Sequence, residues 1–235
     1  MTQHTASAFD EDLQRLQAKI SDMGGLAEEL LAQALEAVQK RDAELAARVV
    51  ERDKALDRME AELEKDSIRL LALRQPVAVD LRETISALKI ASTLERIGDL
   101  AKNIARRSQF LSRNQPINLV APVVRMGRQT LTQLTEVLDA YTARDTAIAV
   151  AVWNRDIEID EMYNSLFREL VTYMMEDPRT IGLCSQLMFV AKNLERIGDH
   201  ATFIAEMAYY VATGEPLGDD RPKGEPLDTM LDLDV

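Results

Sequence analysis

Apolar residues recur along the first part of the chain at alternating steps of three and four positions. They lie at positions 13, 16, 20, 23, 27, 30, 34 and 37, and the same spacing recurs at positions 120, 124, 127, 131, 134, 138 and 141. This spacing forms one stripe along a helix, as in the helices of a bundle. The fifty residues between Gly25 and Pro76 include no glycine or proline, which favours uninterrupted helix. The pattern therefore predicts an all-α protein.

Polar and proline-containing breaks divide this pattern into six helices. Asp42 and Asp145 follow two of the breaks, and each is expected to cap the next helix with its side chain. Pro76 and Pro178 follow two others, and proline suits the first turn of a helix. The predicted helices span residues 9–39, 43–74, 77–111, 119–142, 146–176 and 180–212.

The two halves of the chain repeat one another. The hexapeptide LERIGD occurs at 94–99 and again at 194–199. Further matches lie 103 positions apart: Met23-Gly24 with Met126-Gly127, Arg41-Asp42 with Arg144-Asp145, Arg52-Asp53 with Arg155-Asp156, and Asp57 with Asp160. Such self-similarity indicates a duplicated structural unit. The six long antiparallel helices are therefore expected to form two tandem three-helix bundles related by internal duplication.

The predicted organisation is a first three-helix repeat at residues 1–112, a linker at 113–118, a second three-helix repeat at 119–213 and an acidic tail at 214–235. The tail is rich in glycine, proline and acidic residues, a composition that predicts disorder. We interpret it as a solubilising segment. The alternative is a short amphipathic docking segment built from four apolar residues, Leu227, Met230, Leu231 and Leu233.

Composition limits the class of protein further. Apolar residues make up 46% of the chain and charged residues 29%, with only 5% aromatic residues, which is typical of a soluble, mainly helical protein. The formal net charge of −12 argues against binding to nucleic acid or directly to an anionic membrane. Cys184 is the single cysteine, so no intramolecular disulfide can form, as is usual in a reducing compartment. The sequence shows no signal peptide or transmembrane run, and the expected location is the cytoplasm.

Four pairs of acidic residues are notable for their spacing within the predicted helices. The members of each pair are four positions apart, so both carboxylates lie on one face of the helix. The pairs are Asp53 and Asp57, Glu95 and Asp99, Asp156 and Asp160, and Glu195 and Asp199. In each repeat the two pairs lie about 20 residues on either side of the turn between their helices, so an antiparallel hairpin places them opposite each other. The sequence therefore predicts two clusters of four carboxylates.

Four facing carboxylates repel one another unless a cation neutralises them. Ligation by oxygen alone suits Mg, Mn, Ca or iron. The eight acids are therefore candidate ligands for a divalent metal, with Zn as a further candidate. The alternative is a set of solvated surface acids paired with arginines such as Arg52 and Arg96. The duplication of the pattern favours metal sites.

Two segments carry a resemblance to a known family. QPVAVDLRETISALKIASTLERIGDLAKNI at 75–104 and QLMFVAKNLERIGDHATFIAE at 186–206 resemble the PhoU family of bacterial phosphate-signalling regulators, and the likeness extends over residues 9–212. The resemblance implies a double three-helix fold with multinuclear metal sites at the eight acids named above. One position departs from the family pattern, because Asn103 follows the first motif whereas Phe203 follows the second. We expect this change to remove a possible oxygen ligand from the second site.

The resemblance also implies a cytoplasmic, dimeric adaptor. Members of the PhoU family act with the phosphate-specific ABC transporter, through its ATPase subunit, and with the phosphate-sensing histidine kinase. They repress the phosphate regulon when phosphate is plentiful. The expected partners of this chain are therefore these two proteins and a second copy of itself, with contact to the membrane only through protein partners.

No catalytic constellation is visible, so we expect that the chain is not an enzyme. His4 and His200 are the only histidines, and Cys184 is expected to be a small core residue. A ferritin-like di-iron oxidase needs Glu-x-x-His pairs in a bundle core, and here Gly98 and Gly198 occupy the histidine positions. A metal-free helical scaffold or chaperone-like adaptor with a different client stays open as an alternative.

Overall fold

The structure, a computed structural model, describes residues 2–114 and 118–218, with side chains described from residue 11 onward. These residues form seven α-helices, one short 3-10 helix and the turns between them, with no β-strand. The helices are α1 (Thr2–Lys40), α2 (Ala43–Arg74), α3 (Val79–Leu111), α4 (Val120–Ala143), α5 (Thr146–Asn154), α6 (Asp156–Glu176) and α7 (Ile181–Thr213), with the 3-10 helix at Pro178–Thr180. The predicted all-α class is confirmed. Within these ranges no helix is both long and apolar enough to cross a membrane.

The first two helices of each repeat are joined by the same kind of turn. Arg41 and Arg144 end α1 and α4 in the left-handed region, with φ of 58° and 54°. In the next position, Asp42 Oδ1 and Asp145 Oδ1 each accept hydrogen bonds from the backbone N–H groups two and three residues later, at 2.9 to 3.1 Å. Both predicted N-caps are confirmed, and they fix where α2 and α5 begin.

Two helix starts differ from the predicted ones by more than one residue. Helix α1 begins at Thr2 instead of residue 9, because no glycine or proline interrupts this segment and a helix extends readily from turns that are already packed. Helix α3 begins at Val79, and Pro76 lies in the turn before it. The left-handed Gln75 ends α2, and the chain needs three further residues to reverse direction. In the second repeat, Pro178 does occupy the first position of the 3-10 helix that leads into α7.

The predicted helix at 146–176 is interrupted at Arg155, which separates α5 from α6. The Arg155 N–H is shared between the carbonyls three and four residues earlier, at 3.1 and 3.2 Å, so the chain tightens locally as in a 3-10 turn. The residue after it, Asp156, is buried and accepts a hydrogen bond from Thr202 on α7. The interruption therefore lies beside a predicted site residue, whereas α2 continues without a break through the equivalent Arg52.

Helices α1, α3, α4 and α7 form the centre of the molecule, and α2 and the α5–α6 pair cover its two sides. The helices of each repeat pack against one another, and the repeats meet where α1 packs on α4 and α3 packs on α7. Buried side chains from both repeats form one continuous hydrophobic core. The described residues therefore form two three-helix units, counting α5 and α6 as one helix, joined along a shared core.

One contact between the repeats occurs twice, as a duplication requires. Gly24 on α1 faces Leu138 on α4, and Gly127 on α4 faces Leu35 on α1. The two glycines, and likewise the two leucines, lie 103 positions apart. A β-carbon at Gly24 would lie 3.0 Å from Leu138 Cδ1, and one at Gly127 would overlap Leu35 Cδ2. Each glycine leaves room for a leucine of the other repeat, which explains the two Met-Gly matches in the sequence.

The predicted linker and tail fall only partly within the described residues. Residues 115–117 of the linker and 219–235 of the tail lie outside them. Gly214 ends α7 with a φ of 84°, and Leu217 packs against the hydrophobic core. Ordered contacts therefore continue a few residues beyond the predicted start of the tail.

Candidate metal centres

The α2–α3 hairpin brings together the predicted acidic residues of the first repeat. Asp53 is buried, Glu95 and Asp99 are half-buried, and Asp57 is exposed. Burial raises the pKa of Glu95, and the negative charges of Asp99, Asp57, Glu60 and Asp53 raise it further. The four predicted acids are therefore close enough to interact electrostatically, as the register of the hairpin predicts.

Gly98 allows the two helices to approach closely beside this cluster. A β-carbon at Gly98 would overlap Leu56 Cδ2 and would lie 3.0 Å from Asp53 Oδ1. Helix α2 can pack at this distance on α3 only because the position has no side chain. At the equivalent Gly198, a β-carbon would lie 3.7 Å from Asp156 Oδ1, so the approach of α6 to α7 is less close.

Lys102 contributes a positive charge to the first cluster, and it is not among the residues that the sequence pattern predicts. Its Nζ lies 2.5 Å from Asp53 Oδ2 and also pairs with Asp99. The Lys102 side chain is only 17% exposed, so the ammonium group is largely withdrawn from water. Lys102 follows Asp99 by three positions and shares its helix face; this spacing is the sequence signal that points to it.

Burial and pairing act in opposite directions on the groups of this ion pair. Burial raises the pKa of Asp53 above its usual range, although the hydrogen bond and charge of Lys102 oppose the rise. For Lys102, burial would lower the pKa, but the hydrogen bonds to Asp53 and Asp99 outweigh it and the pKa is raised. Asp53 Oδ1 is buried and has no hydrogen-bond partner within the described part of the chain. The cluster therefore contains a carboxylate oxygen that is neither paired nor solvated.

The second cluster has a different charge arrangement at the equivalent positions. Asp156 is buried like Asp53, but its Oδ1 accepts a hydrogen bond from Thr202 Oγ1 at 2.9 Å. Thr202 lies 100 positions after Lys102, the same offset as the two LERIGD copies. A neutral hydroxyl therefore replaces the lysine that bridges two carboxylates in the first repeat.

Glu195 interacts with two other acids of the second cluster. Burial raises its pKa, Lys192 lowers it through a hydrogen bond and its charge, and the negative charges of Asp199 and Asp160 raise it. The Lys192 Nζ lies 2.7 Å from Glu195 Oε1 and 5.0 Å from the centroid of the Tyr163 ring. Glu195 Oε2 is buried and has no hydrogen-bond partner in the residues described. The predicted acids of α6 and α7 are thus also brought together.

The candidate ligands are neighbours but do not surround a common point. Among the described residues, no group of three or more His, Cys, Asp or Glu side chains is arranged to hold a metal ion. In the first cluster, Lys102 lies between Asp53 and Asp99, where a metal ion would otherwise neutralise them. The fold therefore gathers the eight predicted acids into two clusters, and their role as metal ligands stays a prediction.

Phe203, which departs from the family pattern, lies at a groove between the two repeats. It lines a groove between α3 and α7 together with Lys89, Thr93, Arg96 and His200. The side chain at this position therefore lies near α3 of the first repeat as well as near its own helix, α7. The loss of an oxygen ligand from the second cluster at this position stays a prediction.

Cys184 is a core residue, as predicted. Its side chain has no exposed surface, and burial raises the pKa of the thiol. Because the thiolate is the reactive form of cysteine, this position serves packing rather than chemistry.

Comparisons with known proteins agree with this architecture. The family model of the PhoU domain matches residues 20–108 and 123–208, one match in each repeat. The phosphate-specific transport system accessory protein PhoU homolog of Caulobacter vibrioides (strain NA1000 / CB15N) is 51% identical over 224 residues, covering 95% of this chain and 97% of the relative. The phosphate-specific transport system accessory protein PhoU of Escherichia coli (strain K12) is 36% identical over 233 residues, covering 98% of this chain and 95% of the relative.

Two solved structures share the fold. The crystal structure of PhoU from Pseudomonas aeruginosa has a TM-score of 0.86 and 38% identity, covering 88% of this chain and all of that chain. The phosphate transport system regulatory protein PhoU from Streptococcus pneumoniae has a TM-score of 0.83 and 31% identity, covering 89% of this chain and 99% of that chain. The molecule is therefore a duplicated three-helix-bundle protein with an acidic cluster in each repeat. The chain belongs to the PhoU family, which confirms the resemblance seen in its sequence.

Proposed function

We propose that this chain is a regulatory accessory protein of a phosphate-specific transport system, acting in the cytoplasm as a homodimer. It represses the phosphate regulon when phosphate is plentiful by binding the ATPase subunit of the phosphate ABC transporter and the phosphate-sensing histidine kinase. The observation that carries this proposal is the similarity over 95% of the chain to an accessory protein of phosphate-specific transport, at 51% identity. The match of the PhoU domain to both repeats supports it.

The arrangement of the acids supports a regulator rather than an oxidase. A di-iron oxidase holds its carboxylates in a bundle core beside histidines. Here Asp57 and Asp99 are at least partly exposed, and glycines occupy the positions where that class has histidine. A protein of this kind acts by binding, and it shifts a partner only if it favours one of the partner's conformations.

Deletion of the gene tests the regulatory role. In phosphate-rich medium, a deletion strain should express phosphate-starvation genes, and the full chain supplied from a plasmid should restore repression. A transcriptional reporter of a phosphate-regulon promoter measures both. Repression that persists in the deletion strain would overturn the proposed function.

Mass spectrometry of proteins that co-purify with the chain from phosphate-replete cells should recover the transporter ATPase subunit or the kinase. Recovery of an unrelated client instead would favour the scaffold alternative.

We also propose that the two acidic clusters bind a divalent or multinuclear metal, with iron, Mn, Mg and Zn as candidates. The carboxylate donors fit a hard cation, and the unpaired oxygens Asp53 Oδ1 and Glu195 Oε2 are available without breaking a hydrogen bond within the described chain. A cation that also binds Asp53 Oδ2 and Asp99 Oδ1 displaces Lys102 from them, whereas the equivalent Thr202 carries no charge. A bound cation would neutralise the carboxylates and link the two helices of each hairpin.

The metal content of the wild type and of two variants tests metal binding at each cluster separately. Protein purified without chelators should contain metal, and added Mn²⁺ or iron should raise its melting temperature, because a ligand that binds only the folded state stabilises it. The double variant Asp160→Asn/Glu195→Gln should lose more metal than Asp57→Asn/Glu95→Gln, since Lys192 beside the second cluster is 47% exposed and competes less with a cation than Lys102, which is 17% exposed. Circular dichroism should show that both variants keep their helices. If the wild type holds no metal and gains no thermal stability from any of the four candidates, the clusters are not metal sites.

A further inference from the structure

A groove of about 600 Å³ lies where α3, α5 and α7 meet. Its apolar lining includes Leu81 and Ile85 of α3, Trp153 of α5 and Met207 of α7. Leu81 and Ile85 are 41% and 37% exposed, although they lie at the junction of the two repeats. Large apolar side chains that line an open groove mark an interaction surface.

The rim of this groove is basic on a chain whose net charge is −12. Arg82 and Lys89 line it, and Lys89 also lines the adjoining groove of about 320 Å³, which reaches Arg96. Arg82 Nε is buried and has no hydrogen-bond partner among residues 2–114 and 118–218. Glu206 is the acid in the lining, and it accepts a hydrogen bond from Trp153 Nε1. The groove therefore suits an occupant that is both apolar and acidic.

The chain itself enters this groove at the end of α7. Leu217 packs against the hydrophobic core, and Gly218 lines the groove. A β-carbon at Gly218 would lie 3.2 Å from Trp153 Cη2, so the last described residue is already in contact with the lining. Seventeen residues follow, at 219–235.

The sequence of these residues complements the groove. Residues 224–235 include four acids and no base. Leu227, Met230 and Leu231 are spaced as i, i+3 and i+4, which places them on one face of a helix, and Pro226 suits the first position of such a helix. Ten helical residues are about 15 Å long, and α3 spans about 21 Å between Arg82 and Arg96, so the basic groove is long enough to hold them.

We propose that residues 226–235 dock as a short helix in the groove between the repeats of the same chain. Leu227, Met230 and Leu231 pack on the apolar lining, and the acids face Arg82, Lys89 and Arg96. The seven residues at 219–225 can extend over about 23 Å, which is enough to reach. A tether of this length gives an effective concentration in the millimolar range, which favours the chain's own segment over a free competitor. The docked segment blocks this basic surface against other acidic amphipathic helices, and this inference is independent of the proposed function.

Hydrogen exchange of the full chain, read by mass spectrometry, tests the docking. A helix of about ten residues is not stable by itself in water, so slow exchange of the amides at 227–235 requires a docking surface. We expect exchange at least about tenfold slower than in the unfolded chain, because the docked segment is open only part of the time. The protection should be the same at low and high protein concentration.

Two variants remove the contact from opposite sides. Leu227→Ser/Met230→Ser/Leu231→Ser changes only the segment, and Ile85→Asp/Lys89→Glu changes only the groove. Each should abolish the protection. The control is Lys65→Glu/Ile68→Asp on α2, which alters exposed residues of the same types away from the groove and should leave the protection unchanged.

Three results would overturn the proposal. They are fast exchange of the segment in the wild type, protection that survives the groove variant, and protection that increases with protein concentration. The last would assign the groove to the segment of a second copy. The segment variant changes no residue of the described core, so it keeps the test decisive even if the groove variant fails to fold.

Discussion

Replacing Lys102 with methionine should lower the free energy of unfolding by about 3–5 kcal/mol, the cost of breaking a buried ion pair from one side. Methionine keeps the apolar stem of the side chain but removes the ammonium group that pairs with Asp53 and Asp99. Asp53 is 1% exposed, so its charge would remain buried with no partner. Urea unfolding of chelator-treated protein, followed by circular dichroism, measures the change.

The second repeat supplies a matched control for this variant. Lys192 pairs with Glu195, and these side chains are 47% and 14% exposed, against 17% and 1% for Lys102 and Asp53, so Lys192→Met should cost less than Lys102→Met. Adding Asp53→Asn to Lys102→Met should recover most of the loss, because no unpaired charge stays buried. Equal losses for the two lysine variants, or no recovery with asparagine, would contradict the role assigned to Lys102.

The pH dependence of the Lys102→Met variant gives an independent check. Burial already raises the pKa of Asp53 in the wild type, and removal of the opposing lysine should raise it further. At a pH between the unfolded and folded pKa values, the folded state then binds a proton that the unfolded state does not. The stability of the variant should therefore increase as the pH falls through the raised pKa towards the ordinary aspartate pKa of 3.8, and the added Asp53→Asn should abolish this response.

The helices and the gathering of the acids are predictable from sequence because they depend on local spacing. Asp42 and Asp145 cap their helices through residues only two and three positions away. The acidic pairs meet because residues at equal distances from a hairpin turn lie side by side. The positions of Asp53 and Glu95 relative to the turn are therefore enough to predict that they are neighbours. The duplication adds support, since each of these features occurs twice.

The charge balance of the clusters was not predictable in the same way, because it depends on which side chains reach across between helices. Lys102 and Thr202 occupy equivalent positions, yet one bridges two carboxylates and the other donates a hydroxyl hydrogen bond. Likewise, Arg144 pairs with the buried Glu83 of the first repeat, whereas the equivalent Arg41 donates to backbone carbonyls at the end of α3. The duplicated backbone is retained while its charged contacts have diverged.

The close contact between the repeats leads to a second large expected effect. Gly127→Ala should destabilise the chain by about 1–3 kcal/mol through overpacking, although alanine is the better helix former by about 1 kcal/mol. The new β-carbon would overlap Leu35 Cδ2. Leu35 is 4% exposed and belongs to the shared core, so it cannot turn into solvent to make room. Chemical denaturation measures the change in the free energy of unfolding.

Two glycines of α1 provide comparison variants for the effect of Gly127→Ala on stability. A β-carbon at Gly25 would have nothing within 4 Å, so Gly25→Ala should stabilise the chain by up to about 1 kcal/mol. Gly24→Ala should fall between the two, because the half-buried Leu138 can shift from its 3.0 Å contact. Leu35→Ala should cost less in the Gly127→Ala background than alone, since the added methyl fills part of the cavity. If Gly127→Ala stabilises the chain as much as Gly25→Ala does, α1 and α4 do not pack this closely, and the two repeats do not share the core described above.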